Sequence, residues 1–234
     1  MRAQLRKYAR IYPQWGFVPP RAQLQRPLLK LGSDYGGYFV DEALIREAIT
    51  SKDAVVYSVG IGEDVSFDLA MIERFGVKVE AFDPTPKVKN WLATQALPGR
   101  FRFHDTGIAD FDGEARFYLP PRKDWISHSM VSARQYSPEF LHFPVIRLGT
   151  AMRQLGHECI DVLKMDIEGA EYAVIEDLVR ERIPVRQLLV EFHHRLSSIK
   201  TDKTRQSIAL LESCGMRLAY VCPRFELFTL VKAT

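Results

Sequence analysis

The 234-residue sequence lacks most features that mark secreted, membrane or nucleic-acid-binding proteins. Its three cysteines are irregularly spaced, which excludes a disulfide framework or a cysteine metal site and favours a reducing compartment. No apolar run approaches the ~20 residues of a membrane span, and no apolar core follows the basic N-terminal residues as in a secretory signal. The net charge of +3 is too small to indicate nucleic-acid binding. We therefore expect a cytoplasmic globular protein.

Positive charge is concentrated at the N-terminus. The first 31 residues contain seven lysines and arginines, and no acidic residue precedes Asp34. With a short amphipathic helix predicted over Asp41–Ile49, residues 1–50 form a basic arm packed on a domain of residues 51–234. The arm either covers the domain or contacts an anionic substrate or partner. Asp34–Val40 has paired glycines beside aromatic residues and predicts a hairpin or a lid over the ligand side.

A strand–helix–strand unit dominates the first half of the domain. Ala54–Val59 is a short apolar run typical of a strand buried on both faces. Gly60 and Gly62 follow it and predict a tight turn into a helix over Glu63–Phe75. Gly76 would end this helix, and Val77–Phe82 is the next apolar strand. Such a unit places a ligand site at the carboxyl ends of a parallel sheet.

The residues around the turn favour one ligand class over another. A dinucleotide would place its pyrophosphate at the start of the helix, where Glu63 and Asp64 would repel it. The third glycine of the dinucleotide motif is also absent, because Val65 occupies that position. S-adenosylmethionine has no phosphate and carries positive ammonium and sulfonium groups, so acidic neighbours do not oppose it. Asp83 follows the second strand, where an acid accepts hydrogen bonds from ribose hydroxyls.

The remaining pattern predicts an α/β fold with a mostly parallel, seven-stranded sheet that ends in an antiparallel hairpin. Further strands are predicted at Phe101–His104, Ala115–Leu119, Ile160–Met165, Gln187–Phe192, Met216–Cys222 and Phe225–Val231, and further helices at Thr85–Gln95, Thr150–Leu155, Tyr172–Arg182 and Thr204–Cys214. The alternating residues of Ala115–Leu119 predict one strand of a hairpin. Residues 119–147 have no clean periodicity but contain aromatic residues and prolines, so we interpret them as an insertion that binds the acceptor.

These segments resemble the FkbM-type S-adenosylmethionine-dependent methyltransferases. The most specific match is Leu163–Glu171, which reads LKMDIEGAE, and the next is Tyr57–Asp68, which reads YSVGIGEDVSFD. Ala81–Pro86 and Gly107–Phe117 also match, and the order of the motifs is the same. The resemblance covers residues 54–193 and implies a Rossmann-like class I methyltransferase fold. It also implies O-methylation, often of sugar or secondary-metabolite hydroxyls, and does not fix the acceptor.

The site residues are predicted from positions that follow the strands. We expect six residues to contact the cofactor: Gly60, Gly62, Glu63, Asp83, Asp105 and Asp166. The catalytic candidates are His193, Asp166 and Glu168. A hydroxyl acceptor must lose its proton, and a histidine has a suitable pKa for a base near neutrality, so His193 is the first choice. His128 in the insertion is the next candidate. One of Glu168 and Glu171 is expected only to complement the helix dipole.

Two alternatives to this interpretation stay open. A nicotinamide-dependent oxidoreductase would use the same turn, and a non-catalytic S-adenosylmethionine-binding protein would keep the fold without turnover. Asp166 with Glu191 could hold a divalent ion, but the second acid–amide pair is missing after the fifth strand, so no metal is predicted. The expected partner is a small-molecule or glycan acceptor, without nucleic acid or a membrane span, and a homo-oligomer is compatible with the sequence.

Overall fold

A computed structural model describes residues 22–51, 53–122 and 125–233. Residues 1–21 of the arm therefore lie outside the described residues, and the two readings of its role stay predictions. The described part of the arm contains a two-stranded antiparallel hairpin, with β1 at Leu28–Leu31 and β2 at Tyr38–Asp41. This confirms the hairpin predicted around Asp34–Val40. No helix among the described residues is long and apolar enough to cross a membrane.

The main sheet has seven strands in the order β11-β12-β10-β9-β3-β4-β5. Its parallel strands are β3 (Val55–Val59), β4 (Lys78–Phe82), β5 (Phe101–His104), β9 (Ile160–Met165) and β10 (Val185–Glu191). β12 (Leu227–Lys232) pairs antiparallel with β10, and β11 (Met216–Val221) pairs antiparallel with β12. The mostly parallel α/β sheet with a terminal antiparallel hairpin is thus confirmed.

Six helices are described along the chain. They are α1 (Glu42–Ser51), α2 (Ser66–Phe75), α3 (Pro86–Leu92), α4 (Leu148–Leu155), α5 (Glu171–Arg180) and α6 (Thr201–Ser213). Both faces of the main sheet are buried, because alternate strand residues enter different core clusters. Tyr57 and Leu188 belong to one cluster, and Val56 and Leu189 belong to the other.

Helix α2 begins at Ser66, three residues later than predicted from Glu63. The reason is local, because Gly62 has a positive φ of 56° and prevents a helix from starting there. The Oδ1 atom of Asp64 then accepts a hydrogen bond from the backbone N–H of Ser66 at 2.9 Å. Glu63 and Asp64 therefore belong to the turn, and the helix ends as predicted at Gly76, which has φ 64°.

A second, three-stranded sheet corrects the prediction for residues 119–147. Its strands are β6 (Gly107–Ala109), β7 (Gly113–Tyr118) and β8 (Phe140–Arg147), in the order β6-β8-β7. The last eight residues of the predicted insertion are therefore a strand, and β7 pairs with β8 instead of the preceding strand. Phe143 and Val145 are buried and alternate with exposed residues, but Pro144 between them hid this period in the sequence. The rest of the described insertion, residues 119–122 and 125–139, is called the irregular segment below.

The register of the main sheet brings the ends of four parallel strands to one edge. Val59 is paired with Phe82 on one side and with Met165 on the other, and Met165 is paired with Val190. The residues that follow are Gly60, Asp83, Asp166 and Glu191. Because parallel strands in register end together, these four positions form a row at the carboxyl edge. This row is the floor of the site described next.

Candidate functional site

A cavity of about 950 Å³ opens at this carboxyl edge. Seven of the eight residues predicted for the site line it, in addition to the runner-up base His128: Gly60, Gly62, Glu63, Asp83, Asp166, Glu168 and His193. The wall opposite the strand ends comes from the irregular segment, through Trp125, Ile126 and Tyr136, and from Tyr35 in the N-terminal hairpin turn. One continuous cavity therefore joins the glycine turn to the acidic residues after β9.

Asp105 is the predicted residue that the structure does not bring into this lining. Its Oδ2 atom forms an ion pair with Nζ of Lys89 at 2.6 Å, and about half of its side chain is exposed. The cause is its place on the sheet: β5 is the edge strand, two strands away from β3. A polar residue after this strand is thus farther from the cavity than one after β3, β4 or β9.

The glycine turn is held by its neighbours on both sides. The backbone N–H of Gly60 donates to the carbonyl oxygen of Phe82 at 2.9 Å, and Nζ of Lys164 donates to the carbonyl oxygen of Gly60 at 2.5 Å. Gly60 has φ 70°, and a Cβ atom there would overlap the carbonyl oxygen of Asp166. Gly62 differs, since a Cβ atom there would approach only the terminal methyl of Ile126, at 3.0 Å.

Asp83 connects the turn to the start of α3. Its Oδ2 atom accepts a hydrogen bond from the backbone N–H of Gly62 at 3.2 Å. Its Oδ1 atom accepts from the backbone N–H of Thr85 at 3.0 Å and from the Thr85 hydroxyl at 2.6 Å. A carboxylate has about four acceptor positions, so these three described hydrogen bonds leave one position open on Asp83, which lines the cavity.

The loop after β9 carries two further acids and is fixed by the irregular segment. The backbone N–H of Asp166 continues the sheet by donating to the carbonyl oxygen of Val59 at 3.0 Å. Glu168 has a positive φ of 52°, which is uncommon for a residue with a side chain. The hydroxyl of Ser129 donates to its carbonyl oxygen at 2.5 Å, and the hydroxyl of Tyr136 donates to its Oε2 atom at 2.8 Å. Surrounding contacts therefore hold the strained residue in place.

His193 lies among three carboxylates. Its Nδ1 atom is 2.7 Å from Oε1 of Glu171, and its Nε2 atom is 3.3 Å from Oε2 of Glu168 and 3.6 Å from Oδ1 of Asp166. Burial lowers the pKa of His193, but Glu171, Glu168 and Asp166 together raise that pKa well above its usual value. The three carboxylates therefore favour the protonated imidazole, in which both ring nitrogens carry a hydrogen. A protonated imidazole has no free lone pair with which to accept a proton.

Two other carboxyl groups of the cavity have raised pKa values. Burial raises the pKa of Asp166, with a further rise from Glu168, while His193 and Lys164 oppose it. Burial raises the pKa of Glu191 to about 8, and the nearby charge of Asp166 adds to this rise. A carboxylate with a raised pKa is a stronger base than an ordinary one. Glu191 is therefore mostly protonated at neutral pH, whereas the ionised carboxylates of the cavity are candidate proton acceptors.

The same cluster has a spacing compatible with a metal ion. Single ligand atoms of Asp166, Glu171 and His193 lie within 4.8 Å of one another. Glu171 already accepts backbone hydrogen bonds from Ile167 at 3.0 Å and from Gly169 at 3.0 and 3.2 Å. Its oxygens are therefore engaged by the loop and by His193. The sequence-based alternative combined Asp166 with Glu191, and the cluster that the structure forms differs from it.

Several lining residues were not predicted as site residues. Tyr136 and Arg195 come from loops whose sequence gives no periodic signal, and Glu226 lies just before β12, in a predicted strand that gave no reason to expect a site residue. Their place in the lining depends on tertiary contacts. Glu171 was considered only as an acid that complements the helix dipole. His128, the second base candidate, lines the cavity, and its Nδ1 atom lies 2.8 Å from the carbonyl oxygen of Ile126.

Comparison with curated proteins finds methyltransferase-like relatives. The chain is 31% identical over 157 residues to a protein described as probable methyltransferase-like protein 24 from Homo sapiens, covering 65% of this chain and 36% of that protein. The rat protein of the same description is 29% identical over 165 residues, covering 68% of this chain and 38% of the relative. This chain thus spans well under half the length of these curated relatives.

Among solved structures, the chain is similar to methyltransferase FkbM from Methylobacillus flagellatus, with a TM-score of 0.46 and 13% identity over 76% of this chain and 44% of that one. The model of the methyltransferase FkbM domain family matches residues 55–218. This match includes β3 with its glycine turn, β9 with its acidic loop, and His193. The chain therefore belongs to the FkbM methyltransferase domain family.

Proposed function

We propose that this chain is an S-adenosylmethionine-dependent O-methyltransferase that acts on a hydroxyl of a sugar, a glycan or a secondary metabolite. The observation that carries the proposal is the single cavity in which the turn at Gly60 and Gly62 faces the proton-accepting carboxylates after β9. Family membership supports methyl transfer, and the cavity supports an acceptor that must give up a proton.

The turn fits S-adenosylmethionine better than a dinucleotide. Glu63, Asp64 and Asp83 all line the cavity next to the turn, and three acids would oppose a pyrophosphate. The same acids suit the positive charges of S-adenosylmethionine. The open acceptor position of Asp83 would accept a hydrogen bond from a ribose hydroxyl, and the backbone of Gly62 would allow close approach. These contacts favour the methyl donor over a nicotinamide cofactor.

The chain's own residues would prepare the acceptor. When bound, S-adenosylmethionine supplies an electrophilic methyl group for in-line displacement. Asp166, next to the turn, accepts the hydroxyl proton, and burial makes its carboxylate a stronger base than an exposed one by raising its pKa. The protonated His193 places Nε2 3.3 Å from Oε2 of Glu168 and 3.6 Å from Oδ1 of Asp166, where its charge attracts both carboxylates. Holding donor and acceptor together would account for most of the rate enhancement, since proximity alone can lower the activation barrier by ~7–11 kcal/mol.

The charge of the cavity favours an uncharged acceptor. Its described lining contains eight carboxyl groups, namely those of Asp34, Glu63, Asp64, Asp83, Asp166, Glu168, Glu191 and Glu226. Glu191 is mostly protonated at neutral pH because its pKa is about 8, which leaves seven acids on the negative side of the balance. The cationic side chains among the same residues are Lys164, Arg195, Arg224 and the protonated His193. Arg195 is already paired with Glu226 at 3.1 Å. An anionic acceptor such as a sugar phosphate would meet repulsion, so we expect a neutral polyol.

The test begins with binding and continues with turnover. We expect calorimetry to show binding of S-adenosylmethionine and none of NAD, and the reverse result would favour an oxidoreductase. The protein is then incubated with isotope-labelled donor and a host extract, and labelled products are identified by mass spectrometry. A labelled neutral methyl ether supports the proposal. Donor binding without formation of S-adenosylhomocysteine in any extract would instead indicate a non-catalytic binding protein.

A further inference from the structure

Glu171 occupies an unusual place for an acid in the first turn of a helix. Its side chain is 0% exposed, whereas an acid that only complements a helix dipole is usually solvated. Both of its oxygens are engaged, by the backbone N–H groups of Ile167 and Gly169 and by Nδ1 of His193 at 2.7 Å. Glu171 is not part of the cavity lining that the structure describes. It therefore acts through other residues.

These contacts tie two parts of the site together. The first part is the loop after β9, which presents Asp166 and Glu168 and contains two residues with positive φ, Glu168 at 52° and Gly169 at 102°. The second part is the imidazole of His193, which follows β10. With Nδ1 directed at Glu171, the ring turns Nε2 toward the two cavity acids. A single buried carboxylate thus contacts both the backbone of the loop and the imidazole ring.

We propose that Glu171 is a positioning residue of the methyl-transfer site, whose buried carboxylate holds the imidazole of His193 and the loop after β9 in one arrangement. The expected effect on turnover rests on the proposed function, but the arrangement itself is testable without an acceptor. Glu171 would keep Asp166 and Glu168 directed into the cavity while touching neither donor nor acceptor.

The titration of His193 reports on this arrangement. The groups that face the ring or act on its charge come from every neighbouring element. They are Asp166 and Glu168 of the loop, Glu171 of α5, Glu191 of β10, Glu226 before β12, and the adjacent His194. Of the acids, Glu171 makes the shortest contact with the ring. Neutralising it should lower the pKa of His193 by about 1 unit or more, the usual effect of a close opposite charge.

The experiment compares E171Q with E171D and with E176Q, which changes an exposed acid of the same helix. Imidazole pKa values are measured by NMR titration, with the His193 signal assigned from its loss in H193N. In E171Q we expect the pKa of His193 to fall by about 1 unit or more. We also expect kcat to fall about tenfold or more with a displaced pH profile, and donor affinity to stay within about twofold. E171D, which keeps the charge, should recover part of both effects, and E176Q should match the wild type.

Three results would overturn the proposal. The first is a folded E171Q protein in which the His193 pKa is unchanged. The second is an E171Q protein whose donor affinity falls as much as kcat, because that pattern indicates general damage to the fold. The third result concerns the case in which E171Q does not fold. The proposal is then overturned if the E171D protein has the wild-type His193 pKa and the wild-type kcat. If the wild type transfers no methyl group, the NMR titration still decides the role of Glu171, and only the proposed function fails.

Discussion

The backbone carbonyl of Asp166 occupies the space in which a side chain on Gly60 would lie. The two residues follow adjacent parallel strands, β3 and β9, and the absence of a Cβ atom lets the two chain segments meet at the edge of the cavity. Gly60 is therefore needed to assemble the site, whereas Gly62 faces the cavity with only a flexible side-chain methyl nearby. Sequence reasoning treated both glycines alike, as room for the donor.

This difference predicts that alanine substitutions at Gly60 and Gly62 differ in their effects on stability and on donor binding. Gly60→Ala should lower the free energy of unfolding by more than about 2 kcal/mol, because the new atom overlaps backbone that cannot move easily. Gly62→Ala should cost about 1 kcal/mol for its positive φ and weaken donor binding in a folded protein. Urea unfolding and calorimetry measure the two effects. A stable Gly60→Ala protein would show that β3 and β9 can separate at this edge.

Asp83 and Asp105 form a matched pair for the donor site. Asp83→Asn should weaken S-adenosylmethionine binding by about 1–3 kcal/mol, since the carboxylate supports the turn and supplies the open acceptor position. Asp105→Asn should leave donor affinity unchanged, because this residue is paired with Lys89 outside the described cavity lining. Calorimetric dissociation constants decide between them. An equal loss of donor affinity in both variants would show that Asp105 contributes to the cofactor site.

The catalytic base should be a carboxylate. Asp166→Asn is expected to lower kcat by ~10²–10⁴-fold, the range for loss of a general base, with donor affinity nearly unchanged. Since the carboxylates around His193 raise its pKa, the pH–rate profile should show no limb near 6.5 that His193→Asn removes. If His193→Asn loses kcat while Asp166→Asn retains it, the imidazole is the base, as the sequence first suggested.

Buried Asp68 should make stability depend on pH. Burial raises its pKa from 3.8 to about 6, with Lys164 opposing the rise. The folded state therefore binds this proton more tightly than the unfolded state. The contribution of Asp68 to stability is present below about pH 4 and is lost as the pH rises to about 6.

Asp68→Asn should remove this dependence and gain about 1–3 kcal/mol above pH 7, because each unit of pKa difference corresponds to about 1.4 kcal/mol. Urea unfolding at pH 4, 5, 6 and 7.5 measures the difference between variant and wild type. It should widen up to about pH 6 and then stay level. A constant difference would show that Asp68 does not titrate in this range.

Tyr136 should affect catalysis through Glu168. Tyr136→Phe removes the hydroxyl that donates to Glu168 at 2.8 Å and should lower kcat several-fold, because a net hydrogen bond to a charged group contributes about 1.5–3 kcal/mol. Donor affinity should not change. Tyr220→Phe, on the edge strand β11, is the control. Steady-state kinetics with the identified acceptor make the measurement, and equal effects of both changes would argue against a role of Tyr136 in the site.

The sequence by itself determined the order and kind of the main elements. Apolar runs such as Ala54–Val59 predict strands because burial on both faces requires an apolar residue at each position. The glycines that follow predict turns because a positive φ is strained for most other residues. Both requirements concern single residues and their neighbours in sequence. The same reasoning predicted that polar residues after β3, β4 and β9 would meet at one edge. The sequence-based prediction was wrong for β8, because Pro144 interrupts the alternation of buried and exposed residues. It was also wrong for the start of α2, because Glu63 and Asp64 belong to the turn before the helix.

Only the tertiary structure decided which of these residues become neighbours and in which charge state. Asp105 follows a strand as Asp83 does, yet the place of β5 at the sheet edge leaves Asp105 paired with Lys89. Three carboxylates, from the loop after β9 and from the start of α5, surround His193 and raise its pKa, which its place in the sequence did not indicate. A pKa depends on burial and on charges within a few ångströms, and both are properties of the packed molecule that no local pattern contains.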